Sequence, residues 1–201
     1  EKAEKLLKIA EPTNWSIQHI TAFYDKEGNL KPKEEQGFDV IIGNPPWEVL
    51  KPNIDEFFAP FFEAKYVGKK FSTLKKIEKD QYIKELTINS NVKPVWDKYV
   101  EDISILSEYF NKSRFFRYQK DVSNKGFSEL NLYRLFLEKA QNLLKKDGIC
   151  GVVIPSNLYS DFNTKRLREL LFKENKIISI FSFDNKNKIF EDVHGQWKFM
   201  I

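Results

Sequence analysis

Phe38-Asp39-Val40-Ile41-Ile42-Gly43-Asn44-Pro45-Pro46-Trp47 is the stretch that decides how this chain folds. Val40, Ile41 and Ile42 form an unbroken β-branched run, closed upstream by Gly37 and downstream by Gly43 and two prolines. The run predicts a short strand buried on both faces, as parallel sheets contain. Asn44 to Trp47 then stand beyond the carboxyl end of that strand, where open α/β sheets bind ligands.

Outward from this strand the pattern alternates. Upstream, Ile17 to Tyr24 reads as another strand, His19 as an ordinary residue within it, and Asp25 to Gly28 as a turn. Downstream, Ser128 is placed to cap a helix whose apolar positions are Leu132, Leu135, Phe136, Ala140, Leu143 and Leu144, spaced for one face. Asp147-Gly148 ends that helix, with Gly148 in the left-handed position. Ile149 to Ile154 is a buried strand stopped by Pro155, with Cys150 a core thiol. Asn163 opens a second helix with Leu167, Leu170 and Leu171 on one face, and Ile177 to Phe183 is a third strand. Asn185 to Asn187 turn the chain into a last strand, Trp197 to Ile201, whose short connection requires antiparallel pairing. The rhythm is that of a doubly wound α/β fold: a mostly parallel sheet with a C-terminal antiparallel strand. Between the halves, residues 51–125 read as a mostly helical insertion, with helices over Leu74 to Leu86 and Val95 to Phe110.

The tetrapeptide has a definite chemistry. Asn44 offers a carboxamide oxygen as acceptor and an amide as donor, on a backbone that the next proline holds extended. Pro45 and Pro46 have fixed φ and no N–H, so the loop is stiff and presents acceptors. Trp47 adds a large flat ring. This set suits an exocyclic amine on a planar base. The amine lone pair is delocalised into the ring, and two acceptors on its hydrogens would favour a tetrahedral nitrogen. A flipped-out base could stack on Trp47, a contact worth about 1–3 kcal/mol.

Composition limits the alternatives. The chain has 201 residues, 41% apolar and 31% charged, enough for one folded domain with a core. A formal net charge of +4 is compatible with nucleic acid without demanding it. One cysteine excludes an internal disulfide framework, and two scattered histidines give no zinc spacing. No segment is long and apolar enough to span a bilayer, and no signal-peptide pattern opens the chain. The chain opens on Glu1 inside a charged helical stretch, Glu1 to Ala10, and reads as a piece of a larger protein. Lys112, Arg114, Phe115, Phe116, Arg117, Tyr118 and Lys120 interleave cations and rings, a pattern that can grip phosphates and stack bases but is also common on solvated faces. Lys69, Lys70, Lys75, Lys76 and Lys79 read as solvated helix surface, and His194, before Gly195, as a structural turn residue.

The stretch from Phe38 to Trp47 resembles motif IV of the N6-adenine DNA methyltransferases, written Asn-Pro-Pro followed by Tyr, Phe or Trp. More narrowly, the chain is similar to the Eco57I-like group of type II restriction–modification enzymes. That similarity is carried also by Asn14-Trp15 with Phe23, by Asn131-Leu132-Tyr133-Arg134-Leu135-Phe136, by Gly151 to Asn157, and by Ile189 to Phe199. It implies a Rossmann-like fold dependent on S-adenosylmethionine, double-stranded DNA as substrate, no metal for methyl transfer and a prokaryotic, cytoplasmic setting. It implies that residues 1–201 are part of one catalytic domain. Carried over by residue, Asn44, Pro45, Pro46 and Trp47 are catalytic, Trp47 stacks on the target base, and Phe190 is a second aromatic wall. Asp25 stands as a cofactor-side acid, and Arg114, Arg117 and Lys120 as DNA contacts. The glycine-containing loop that grips the methionine part of the cofactor has no counterpart before Phe38, so it and the target-recognition domain are expected outside the chain. Isolated, this piece is expected to be inactive. Other Asn-Pro-Pro-aromatic loops serve protein glutamine and ribosomal RNA guanine methyltransferases, and a non-catalytic DNA-binding fragment is the third reading.

Overall fold

The computed structural model describes residues 4–5, 8, 13–88, 91–118, 130–191 and 193–201. Ser128 and Lys120, and most of the stretch from Glu1 to Ala10, lie outside them. The chain forms two compact units: residues up to Leu50 together with Tyr109–Ile201, and the stretch Lys51–Glu108.

In the first unit, strand β1 (Phe38–Gly43) pairs in parallel with β2 (Leu144–Val152), Val40 opposite Ile149 and Gly43 opposite Val152. The strand expected at Ile17 to Tyr24 is instead two helical turns, α1 (Trp15–Gln18) and α2 (Ile20–Phe23). The Asn14 side chain accepts from the Ser16 N–H and caps the first turn, which outweighs the β-branched content behind it. His19 sits at the break between the turns and stacks on Trp15 at 5.5 Å. The turn after Tyr24 is as expected, with the Asp25 carboxylate accepting from the Glu27 and Asn29 amides and Gly28 at φ +82°.

Burial departs from the expectation. Ile42 is 82% exposed, Val40 and Ile149 are exposed, and so is Cys150, which is therefore no core thiol. Among the described residues β1 has one hydrogen-bonded neighbour, so an apolar strand sequence does not by itself produce a buried strand. Gly37 needs to be glycine on two counts: its φ is +113°, and a Cβ would stand 2.5 Å from the Leu143 carbonyl oxygen.

Helix α6 (Leu132–Leu143) buries Tyr133, Leu137 and Ala140, together with Arg134 and Glu138, whereas Phe136 is exposed. It passes directly into β2. Asp147-Gly148 therefore does not end the helix; the pair forms an irregularity within the strand, where the register slips between Phe38 and Val40. Asp147, at φ 62°, takes the left-handed position expected of Gly148. Gly148 is required for space instead, since a Cβ would lie 2.9 Å from the Phe38 carbonyl oxygen.

A second sheet has strand order β3-β5-β4, built from β3 (Ile154–Pro155), β4 (Ser182–Asp184) and β5 (Lys198–Met200), all antiparallel. The last strand thus pairs antiparallel as expected, but the described pairings are one parallel and two antiparallel, and not a mostly parallel sheet. Of the strand expected over Ile177 to Phe183, only its end forms, as β4. Between β3 and β4 lie α7 (Asn157–Ser160), a 3-10 turn and α8 (Lys165–Glu174). Asp161 caps the 3-10 turn, its carboxylate accepting from the Asn163 N–H, and α8 starts after it with Thr164 and not Asn163 as its N-cap residue. Leu167 and Leu170 from α8 join Tyr133, Leu137, Ile154, Leu158 and Met200 in the core of this unit.

The second unit is helical: α3 (Ile54–Lys65), a 3-10 turn at Phe71–Thr73, α4 (Lys76–Ile88) and the start of α5 (Val92–Lys112). Its core is aromatic, with Phe58, Phe62, Phe71 and Tyr82 buried against Phe57, Tyr66 and Trp96. Among the described residues no helix is long and apolar enough to cross a membrane.

Candidate functional site

The corner Asn44–Trp47 is held at both ends. Upstream, the Val153 amide donates to the Gly43 carbonyl at 3.0 Å, carrying the β1–β2 ladder to the foot of the corner. Downstream, Leu50 donates to the Leu130 carbonyl and Leu132 to the Glu48 carbonyl, around a bridge between Val49 and Asn131. Pro45 is buried, while Asn44 and Pro46 are exposed. The Asn44 carboxamide makes no hydrogen bond within the described residues, so both its oxygen and its amide remain available to a ligand.

Trp47 is half-buried against the core, with its indole N–H donating to the Val153 carbonyl at 3.2 Å. Phe190 meets it edge to face, ring centroids 5.3 Å apart and planes at 72°, and Phe199 backs both rings. The two residues are thus brought together, as a perpendicular corner and not as two parallel plates. Asn185 holds Phe190 there. Its fully buried carboxamide accepts from the Phe190 amide and donates to the Phe190 and Val193 carbonyls. Trp47→Phe keeps a ring but loses the bond to Val153, a loss worth about 1 kcal/mol. The expected result is a melting temperature lower by about 2–4 °C, read by calorimetry.

Behind the corner lies a buried polar network that the sequence does not announce. Arg134, 4% exposed, pairs through Nη2 with Asp161 Oδ2 at 2.6 Å, and the Tyr133 hydroxyl donates to Asn157 Oδ1 at 2.9 Å. Burial pushes the Tyr133 phenol pKa up. Arg168 donates to the Leu158 and Asp161 carbonyls and to the Thr164 hydroxyl, tying α8 to the end of α7. The one signal for this in the sequence is a charged pair four residues apart, Arg134 and Glu138, inside an apolar helix.

The remaining candidates lie elsewhere. Asp25 spends its carboxylate on its own turn: amide donors from Asn29 and Glu27 hold its pKa below the usual carboxylate value. Arg114 and Arg117 are exposed on the segment after α5, with the Arg114 guanidinium 5.8 Å from the Phe115 ring centre. His194 is a turn residue, its Nδ1 accepting from the Gln196 amide. A cavity of about 410 Å³, lined among others by His19, Lys31, Glu35, Asp39 and Lys145, lies at the opposite end of β1, roughly 20 Å from Asn44 at the usual rise per strand residue. Among the described residues no cluster of three or more His, Cys, Asp or Glu side chains could hold a metal ion.

The exposed asparagine–proline corner at the end of a parallel strand sits within a chain that belongs to the Eco57I restriction-modification methylase family, whose model matches residues 2–92 and 99–190. Membership makes the chain a restriction–modification methylase, and DNA is the substrate the family implies. No curated protein and no solved structure matches the chain.

Proposed function

We propose that this chain carries the base-binding corner of a site-specific DNA adenine-N6 methyltransferase of Rossmann-like fold. The observation that supports this best is the pairing of an exposed, unbonded Asn44 carboxamide with a half-buried Trp47 on a corner fixed at both ends. In this reading the Asn44 side-chain oxygen and the Pro45 carbonyl accept the two hydrogens of adenine N6, and the nitrogen lone pair turns out of the ring plane. Trp47 lies against the flipped base, with Phe190 across its edge. Positioning and electrostatics carry the rate. The methyl donor of this reading is S-adenosylmethionine. Among the described residues no strand followed by a glycine-rich turn precedes β1. Arg114 and Arg117 contribute phosphate contacts.

The test uses the full-length protein with methyl-labelled S-adenosylmethionine and, separately, duplex DNA, ribosomal RNA and protein substrates. Label entering duplex DNA is the expected result. Label entering glutamine side chains or guanine in RNA overturns it in favour of another planar amide or amine, and duplex binding without transfer marks a non-catalytic piece.

A further inference from the structure

Over residues 51–108 the lysines and the acidic residues balance in number, yet they are not mixed along the chain. From Ala64 to Ile77 there is no acid and there are five lysines: Lys65, Lys69, Lys70, Lys75 and Lys76. Among the described residues of this unit, Lys79 pairs with Asp55 at 2.7 Å, Lys93 with Asp97 and Lys65 with Glu85. Lys69, Lys70, Lys75 and Lys76 are exposed and have no carboxylate within ion-pair distance among the described residues. The loop that bears them is built and anchored. Phe71, fully buried, plugs it into the aromatic core beside Phe62 and Tyr82, and the Lys79 ammonium lies over the Phe71 ring. The Thr73 hydroxyl donates to the Lys70 carbonyl, the Lys69 amide to the Tyr66 carbonyl, and Gly68 turns the chain at φ +83°. The Lys69 ammonium also lies over the Tyr66 ring, 5.9 Å from its centre.

An anchored turn that gathers four ammonium groups with no carboxylate within ion-pair distance among the described residues fits a polyanion with regularly spaced single charges. We propose that the loop from Lys65 to Lys76 grips the sugar–phosphate backbone of duplex DNA, with Lys69, Lys70, Lys75 and Lys76 making the phosphate contacts. The choice of duplex DNA as the polyanion rests on the restriction–modification reading above. The contact is independent of base sequence, because lysine meets phosphate as a point charge and each contact releases counterions.

The experiment titrates the full-length protein with a labelled duplex of arbitrary sequence at several salt concentrations. With Lys69, Lys70, Lys75 and Lys76 all changed to Gln, affinity is expected to fall about tenfold or more near 0.1 M salt, and the log–log salt slope to become shallower by about two to four. Changing Lys84 and Lys98, exposed cations of the same unit outside the loop, to Gln is expected to leave the slope within about one of the parent. Lysine acetylation of the unmutated protein gives a second readout free of folding effects, in which duplex DNA protects the loop lysines and not Lys84 or Lys98. An unchanged slope, an equal loss in the two variants, or loop lysines acetylated equally with and without duplex overturns the proposal. So does loss of single-stranded RNA binding with duplex binding intact. Asn44→Ala keeps the parental slope if the loop acts as stated, so failure of the catalytic reading and failure of this one are separately visible.

Discussion

Asn44→Ala in the full-length protein is expected to lower kcat for methyl transfer by about 10²–10³-fold, the usual loss when one preorganised polar partner of a transition state is removed. The exposed carboxamide is bonded to nothing in the described residues, so its removal leaves no buried group unpaired and no cavity. Stability is therefore expected to stay at the parental value. Asn44→Asp separates acceptor from donor. It retains oxygen acceptors for the amine hydrogens, loses the carboxamide N–H and adds a negative charge, and it is expected to keep more activity than the alanine variant. Transfer rates under saturating DNA check both. An alanine variant that turns over normally removes Asn44 from the chemistry.

The second large effect concerns the support behind the corner. Arg134→Met is expected to destabilise the chain by about 3–5 kcal/mol, the cost typical of breaking one side of a buried ion pair. Arg134 is almost wholly buried, bonds Asp161 at 2.6 Å and lies near the Tyr133 hydroxyl, which itself holds Asn157. Methionine fills part of the volume and none of the donor positions. Asp161 is 28% exposed on its side chain, so water can take up part of what Arg134 gave it. Asp161→Asn instead removes the charge facing a guanidinium that is 4% exposed, and is expected to cost at least as much as Arg134→Met. Arg134→Lys does not rescue, because an ammonium lacks the guanidinium fork. Denaturant titration measures all three, and an Arg134→Met loss below about 1 kcal/mol contradicts the network's role.

What could be read without coordinates divides along physical lines. Strand β1 was legible because three β-branched residues between glycine and proline permit little else. Its exposure was not, because burial belongs to neighbours and not to the strand's own residues. Ile17 to Tyr24 looked like a strand by composition, but a local event, the Asn14 cap and the break at His19, decided it. Helix α3 went unread because Pro60 stands inside it; a ring of phenylalanines at helical spacing, packed on Trp96 and Tyr82, holds it through the missing N–H. In the site, Asn44 to Trp47 were visible as a tetrapeptide, since a stiff corner is a local property. Phe190 was reached only through the family resemblance; that it meets Trp47 edge to face across more than a hundred residues, held by the buried amide of Asn185, and that Arg134 meets Asp161, are tertiary facts with no local pattern.

Digesting duplex DNA treated with the full-length protein and S-adenosylmethionine to nucleosides, and weighing the products, tests the central claim most directly. The account predicts N6-methyladenine, formed about 10²–10³-fold more slowly in DNA treated with the Asn44→Ala variant. Methylation at cytosine carbon, or N6-methyladenine formed equally by both proteins, would contradict it.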